Sequence, residues 1–359
     1  MNKFSEAFEA ARDAVTNGEF AAPIQELKPK LKSLFGPDGP EVTHAAQLEA
    51  LRQAIKTAGS ELITSGKCTT AQQASAKVIV TAAGAAQKKP ERAATVKMLR
   101  HLYHVTSAGG QAVWVYSPPV AYSKWVFDEV AGASDATLET VMAKPDEEVY
   151  TAHQQKIMAA ALQEARAFCL AVVAKLGEPD DVTKAVVKRY FGNGTTTADE
   201  LTATIATLKA GYLRIGNACN AGNVVISDEP GDRTSGGWKD WAFIYTAEKM
   251  SVIYLQGAWL SKADEVSPTN QTPIYRCVRT IIHELSHKVV STEDIVYGPK
   301  GLKPEGSSVM TPEYALHNAD SWAYFAVDVL GYLTAPDKDN GNKSTTAILR
   351  TPSRKLTAA

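Results

Sequence analysis

The chain has 359 residues, 45% apolar and 21% charged, a composition that excludes a disordered polymer and a length that favours two domains over one. Its 38 Lys and Arg offset 39 Asp and Glu, so no basic field exists for phosphate backbones or anionic lipid, and neither nucleic acid nor membrane insertion is expected. The start, MNKFSEAFEAARDAV, alternates charged and apolar residues in helical rhythm and reads as a domain helix, not as a classical secretory signal. No apolar run of membrane-spanning length is read elsewhere, so a soluble chain is expected.

Residues 1 to 108 are rich in Ala, Lys, Glu and Gln, with apolar positions such as Ala45, Leu48, Leu51 and Ile55 at helical spacing, which predicts four or five helices. The aromatic, β-branched segment 112 to 127 predicts a strand and then a connection broken by Pro118 and Pro119. Small polar residues from 132 to 150 predict a linker. Helices are predicted next from His153 to Lys175 and from Ala198 to Ile215. The runs NVVIS (223 to 227), WAFIYT (241 to 246) and SVIYL (251 to 255) predict a small antiparallel sheet, SVIYL offering its edge to an extended peptide. Two helices follow, one around Ile274 to Val289 and one running to Gly331 from Thr311 and Pro312, which suit an N-cap and a first turn. The fold class expected is α+β, with a helical region over 1–130, a catalytic domain over 150–335 and a loosely ordered tail over 336–359. Cys68, Cys169, Cys219 and Cys277 form no CxxC pair and read mostly as buried thiols, with a Cys219 to Cys277 bridge as the alternative.

The chemistry is concentrated in TIIHELSHKVV. His283 and His287, four residues apart on a helix, project from one face one turn apart, which suits two imidazoles converging on one zinc. Val278, Ile281, Ile282, Leu285 and Val289 form the apolar stripe of that helix, and the histidines lie off it. Catalytic zinc needs a third protein ligand and an open fourth position, and Asp294, seven residues after His287, is within reach if the chain turns at Ser291 and Thr292.

These residues resemble the aspzincin metalloendopeptidases, which include deuterolysin and the peptidyl-Lys metalloendopeptidases. The family pattern is HExxH followed by Gly-Thr-x-Asp-x-x-Tyr-Gly; here Ser291 replaces the first glycine and Thr292, Asp294, Tyr297 and Gly298 match. A downstream Asn-Ala-Asp-Ser segment corresponds to Asn318, Ala319, Asp320 and Ser321, and RYFG (189 to 192) is similar to an aromatic turn after the family's first helix. The resemblance spans about 150 to 335 and implies a zincin-like domain holding one zinc through His283, His287 and Asp294. It further implies Glu284 as general base and Tyr297 as hydrogen-bond donor to the oxyanion.

Asp320 and Asn318 carry two readings. In lysine-specific members the Asp of this motif and a Glu three residues later bind the substrate lysine after the cleaved bond, but the second position here is Ala323, which weakens a lysine preference. The other reading makes Asp320 and Asn318 partners that orient a ligand histidine. The function expected is a zinc endopeptidase acting on protein or peptide substrates. The alternatives are a zinc amidase or toxin acting on a cell-wall or other non-protein amide, and a non-catalytic zinc-binding delivery protein. A specialised export route, and a secretion-machinery or inhibitor partner for residues 1–130, are compatible with the resemblance.

Overall fold

The computed structural model describes residues 4–17, a few positions between 29 and 39, residues 89–106, and 112–351 except 143, 146, 346 and 350. The helix read through Ala45 to Ile55, most of the N-terminal helices and Cys68 lie outside them. The chain divides into two compact units that interleave in sequence: Met1–Ala159 with Gly222–Trp241 and Ala247–Ser261, and Ala160–Ala221 with Ala242–Thr246 and Lys262–Ala359.

The first unit is organised by a mixed sheet. Strand β1 (Leu102–Thr106) runs antiparallel to β2 (Ala112–Tyr116), β2 is parallel to β3 (Val224–Ser227), and β3 is parallel to β4 (Ser251–Leu255). The register pairs Trp114 with Val225 and Val224 with Ser251. The α+β class therefore holds, but NVVIS and SVIYL are parallel, not antiparallel. Twenty-odd residues separate them, room enough for a crossover, and two 3-10 turns (Pro230–Thr234 and Gly236–Lys239) fold that connection. Val224–Ser227 and Val252–Leu255 are buried without alternation, as strands covered on both faces are. Of WAFIYT only Ala242–Phe243 is a strand, and LYHVT is a strand inside a stretch read as helical.

Helix α1 (Phe4–Asn17) buries Phe4, Phe8, Ala11 and Val15, and the Phe4 ring lies 5.5 Å from that of Tyr116. Its first N–H groups have no helical acceptor, and two are met from the sheet region: Phe4 N donates to Tyr254 Oη (2.9 Å) and Ser5 N to Glu248 Oε1 (2.8 Å). Helices α2 (Lys89–His101), α3 (Val126–Val130) and α4 (Asp135–Met142) complete the unit's described helices before residue 150. Helix α4 occupies the expected linker; Ser134 initiates it, its Oγ accepting from Thr137 N at 3.2 Å. Beyond β3, Asp228 is fully buried and gripped by Arg233, whose Nε and Nη2 reach its two oxygens at 2.5 and 3.1 Å while Nη1 and Nη2 donate to the carbonyls of Pro118, Pro119 and Tyr122.

Helix α5 (Ala152–Gly177) is, by length and composition, apolar enough to cross a membrane, contrary to the expectation that no such run exists. Met158, Leu162, Ala165, Cys169, Val172 and Leu176 bury one stripe at alternating steps of three and four, as in a core helix, and Lys156, Glu164 and Lys175 face outward.

In the second unit follow α6 (Asp181–Phe191), α7 (Ala198–Cys219), α8 (Gly257–Asp264, shared in sequence with the first unit) and α9 (Thr272–Val289). A capping box of Thr197 and Glu200 starts α7. The expected single helix from Thr311 to Gly331 is two, α10 (Pro312–His317) and α11 (Ala319–Val329), interrupted at Asn318, whose backbone is extended (φ −93°, ψ 118°). Trp322 anchors α11: its ring fills the space beside Gly211 of α7, where a Cβ would come within 2.3 Å of it, and its Nε1 donates to Leu316 O (2.8 Å). The expected loose tail is ordered where described. Residues Ala335–Gly341 form α12, capped by Thr334, and Leu349 N donates to Ile295 O at 2.8 Å. Cys169, Cys219 and Cys277 are buried free thiols, so the Cys219 to Cys277 bridge is not made.

Candidate metal centre

Helix α9 has the amphipathic pattern its sequence predicts: Ile274, Cys277, Val278, Ile281, Ile282 and Leu285 are buried. His283 and His287 emerge beside that stripe with ring centroids 4.8 Å apart and planes at 85°. Their Nε2 atoms are 3.1 Å apart. The helix ends at Val290, and Ser291 takes a left-handed conformation (φ 68°) that reverses the chain. Such a φ favours glycine, the residue of the family pattern at this position, so Ser291 carries a backbone strain of about 1 kcal/mol. The turn brings Asp294 back: its Oδ1 lies 3.1 Å from His283 Nε2 and 3.3 Å from His287 Nε2.

The outer nitrogens of both rings face fixed acceptors. His283 Nδ1 is 2.8 Å from Asp320 Oδ1, and His287 Nδ1 is 2.9 Å from Thr292 O. A carbonyl can only accept, so His287 carries its proton on Nδ1, and the Asp320 carboxylate selects the same tautomer for neutral His283. Both Nε2 lone pairs then point at each other and at Asp294 Oδ1, a buried oxygen with no correctly directed hydrogen-bond donor. Three lone pairs converging without a proton repel unless a cation lies among them. Four tetrahedral ligands at zinc's usual ~2.0–2.1 Å would be about 3.3–3.4 Å apart, close to the observed triangle. The donor set fits zinc, with Glu284 beside it: ligand atoms of His283, Glu284 and His287 fall within 4.8 Å of one another.

The electrostatics agree. Burial opposes charge on His283, yet the carboxylates of Asp320 and Asp294 beside its ring nitrogens raise its pKa well above the usual value. Burial likewise opposes ionisation of Asp294, but the two imidazoles hold its carboxyl well below the carboxylate range. The cluster thus favours positive charge at its centre. Glu284 moves the other way: burial pushes its pKa up, only partly offset by the histidines, which brings a carboxylate toward the basicity a proton carrier needs. Tyr297 is 59% exposed, its ring 6.3 Å from that of His283 and inclined at 23°. Partial burial and the Asp294 charge raise its phenol pKa, so it remains a donor.

Asn318 and Asp320 lie behind the ligands. Asn318 is fully buried; its Oδ1 accepts from Ile295 N and Val296 N, both at 2.9 Å, holding the loop that carries Asp294. Its backbone neighbours do the same: Glu293 N donates to His317 O and Ala319 N to Glu293 O, which explains the helix break at 318. Asp320 holds His283 through Oδ1 and Gly298 N through Oδ2, at 2.8 and 2.5 Å. The wholly buried Asn318 amide is spent on the loop, and Asp320 bonds His283 and Gly298, contacts that favour the orienting reading of both side chains over the substrate-contact one. His317 is buried in α10. Sequence reading missed Ser286 and Thr292 as a support: their hydroxyls bond at 2.6 Å and brace the turn after His287, a pairing visible only once the chain has reversed.

Residues 178–327 match a family model described as lysine-specific metallo-endopeptidase, the aspzincins. Among solved structures the chain is similar to a zinc peptidase from Grifola frondosa, 22% identical, with a TM-score of 0.38 over 51% of this chain and 99% of that one. No curated protein matches.

Proposed function

Because residues 178–327 belong to the aspzincin metallo-endopeptidase family, we propose that this chain hydrolyses peptide bonds with zinc held by His283, His287 and Asp294. The observation that carries the reading is the triangle of donor atoms with edges of 3.1, 3.1 and 3.3 Å. Zinc bound there would polarise the scissile carbonyl and make water acidic enough to lose a proton near neutral pH.

The chain's own residues do the rest. Glu284, buried and with a raised pKa, takes the proton from the attacking water and returns it to the leaving amine. Tyr297 Oη donates a hydrogen bond to the oxyanion as the carbonyl becomes tetrahedral. Asp320 and Thr292 O keep the two imidazoles in the Nδ1–H tautomer, so that each presents a lone pair. Substrates are proteins or peptides. The matched family's description is lysine-specific, and Ala323, fully buried, supplies no second carboxylate for a lysine.

The test is zinc content together with casein cleavage by the purified chain and by Glu284→Gln. One zinc per chain in both proteins and cleavage only by the wild type is the expected result. A chain that binds no zinc sinks the proposal, and one that binds zinc but cuts no peptide directs it to a non-protein amide.

A further inference from the structure

Segments of four helices, all within the second unit, line an open cavity of about 410 Å³. Its charged residues are Lys175 from the last turn of α5, Arg189 from α6, Asp328 from α11 and Lys338 from α12. Between them the wall is apolar: Val186 and Val329 are buried, Leu330 is half-buried and Val182 is 72% exposed at the mouth. Asp328 lies eight residues beyond Asp320 on the same helix, about 12 Å of helical rise, so the cavity is separate from the donor triangle.

Three cations against one carboxylate leave the wall with an excess of two positive charges. The Asp328 side chain is 2% exposed, with Arg189 Nη1 2.6 Å from Oδ2 and Lys338 Nζ 3.3 Å from Oδ1. One arginine completes a buried carboxylate, as Arg233 does for Asp228, so Lys338 brings a charge that Asp328 does not need. The cations do not serve as helix caps either, because the carbonyls of Val327 and Asp328 accept from Tyr332 N and Gly331 N, both at 2.9 Å. Among the described residues, Arg189 donates to no side chain besides Asp328, which leaves donors of its fork for a further acceptor. Lys175 is exposed, and the nearby Asp180 carboxylate, which feels its charge, already accepts from Thr183 N.

A ligand matched to this wall carries a negative charge on an apolar body. A carboxylate suits the free N–H edge of a guanidinium, with the two lysines as flanking point charges, and the valines and Leu330 take the rest of the molecule. The volume falls within the ~300–1,000 Å³ usual for small-molecule sites.

We infer that this cavity binds a small carboxylic acid with an apolar body, its carboxylate held by Arg189, Lys175 and Lys338. Such a site needs neither zinc nor peptide hydrolysis.

The experiment is calorimetric titration of the full chain with octanoate, octanamide, acetate and inorganic phosphate. Octanoate should bind saturably, one per chain, and about tenfold or more tighter than acetate and phosphate, which lack the apolar body, or octanamide, which lacks the charge. Lys175→Glu, at an exposed position where the fold is not at stake, should weaken octanoate about tenfold or more, and Val182→Glu at the mouth should weaken it as well. Lys239→Glu, the same charge change on an exposed residue of the first unit, should leave it unaltered. No saturable octanoate binding, equal binding of octanamide, or phosphate binding as tightly as octanoate overturns the inference. So does octanoate affinity that neither Lys175→Glu nor Val182→Glu changes, since the acid then sits elsewhere, at the metal centre included.

Discussion

Each unit of the molecule buries a carboxylate cluster, and the two clusters are built on opposite principles. Asp228, in the first unit, is closed by its own cation: Arg233 reaches both of its oxygens and fills its remaining N–H valences with the carbonyls of Pro118, Pro119 and Tyr122. In the second unit Asp294 Oδ1 meets two imidazole nitrogens, and Asp320 and Thr292 O face the outer ring nitrogens. A buried charge completed by the chain is scaffold; one left incomplete, with its neighbours' lone pairs aimed at the same point, marks a place for a metal ion. Burial alone does not distinguish the two, since Asp228 is the more deeply buried.

The comparison can be broken most directly at the proton carrier. Glu284→Gln is expected to lower kcat by about 10²–10⁴-fold with zinc retained, the usual contribution of a general base, measured on casein or a fluorogenic peptide. In the self-completed cluster, Arg233→Met should leave Asp228 uncompensated and cost about 3–5 kcal/mol of stability, read by urea denaturation. Asp320→Asn tests the support behind the metal ligand. Zinc affinity should fall about 10–100-fold in a chelator competition, because His283 then loses its charged orienting partner. The smallest change should be a gain: Ser291→Gly relieves the left-handed turn and is expected to add about 1 kcal/mol of stability without altering zinc stoichiometry.

A pH measurement sharpens the contrast within the first unit. Glu229, whose Oε2 accepts from Trp125 Nε1 at 3.0 Å, has its carboxyl pushed up to about 7, chiefly by burial. A carboxyl with a folded-state pKa above its unfolded value binds more protons when folded. Stability should therefore fall as pH rises from about 4.5 to about 7, and Glu229→Gln should flatten that slope in denaturation curves taken across the window.

Much of the metal centre was legible in sequence because its geometry is local. A four-residue spacing on an amphipathic helix places His283 above His287 wherever the helix lies, and a short turn returns Asp294 to them. The helices 152–177 and 198–219 were legible for the same reason, being long and periodic. Strand direction was not: NVVIS and SVIYL have the composition of strands in either sense, and their parallel pairing depends on the path of the connection between them. Nor was the ordered α12, whose short polar sequence resembles a frayed end, although Thr334 and Pro336 are helix-start signals in retrospect.

Residue types and short spacings thus determined the candidate ligands, the candidate general base and the α+β class. Only tertiary structure decided what Asn318 and Asp320 do. Their partners on the Asp294 loop and the His283 helix lie 22 to 37 residues away, and Asn318 Oδ1 accepts from Ile295 N and Val296 N where the helix breaks. Long-range packing sets such roles because one side chain can serve as support, ligand or substrate contact according to which backbone the fold brings against it.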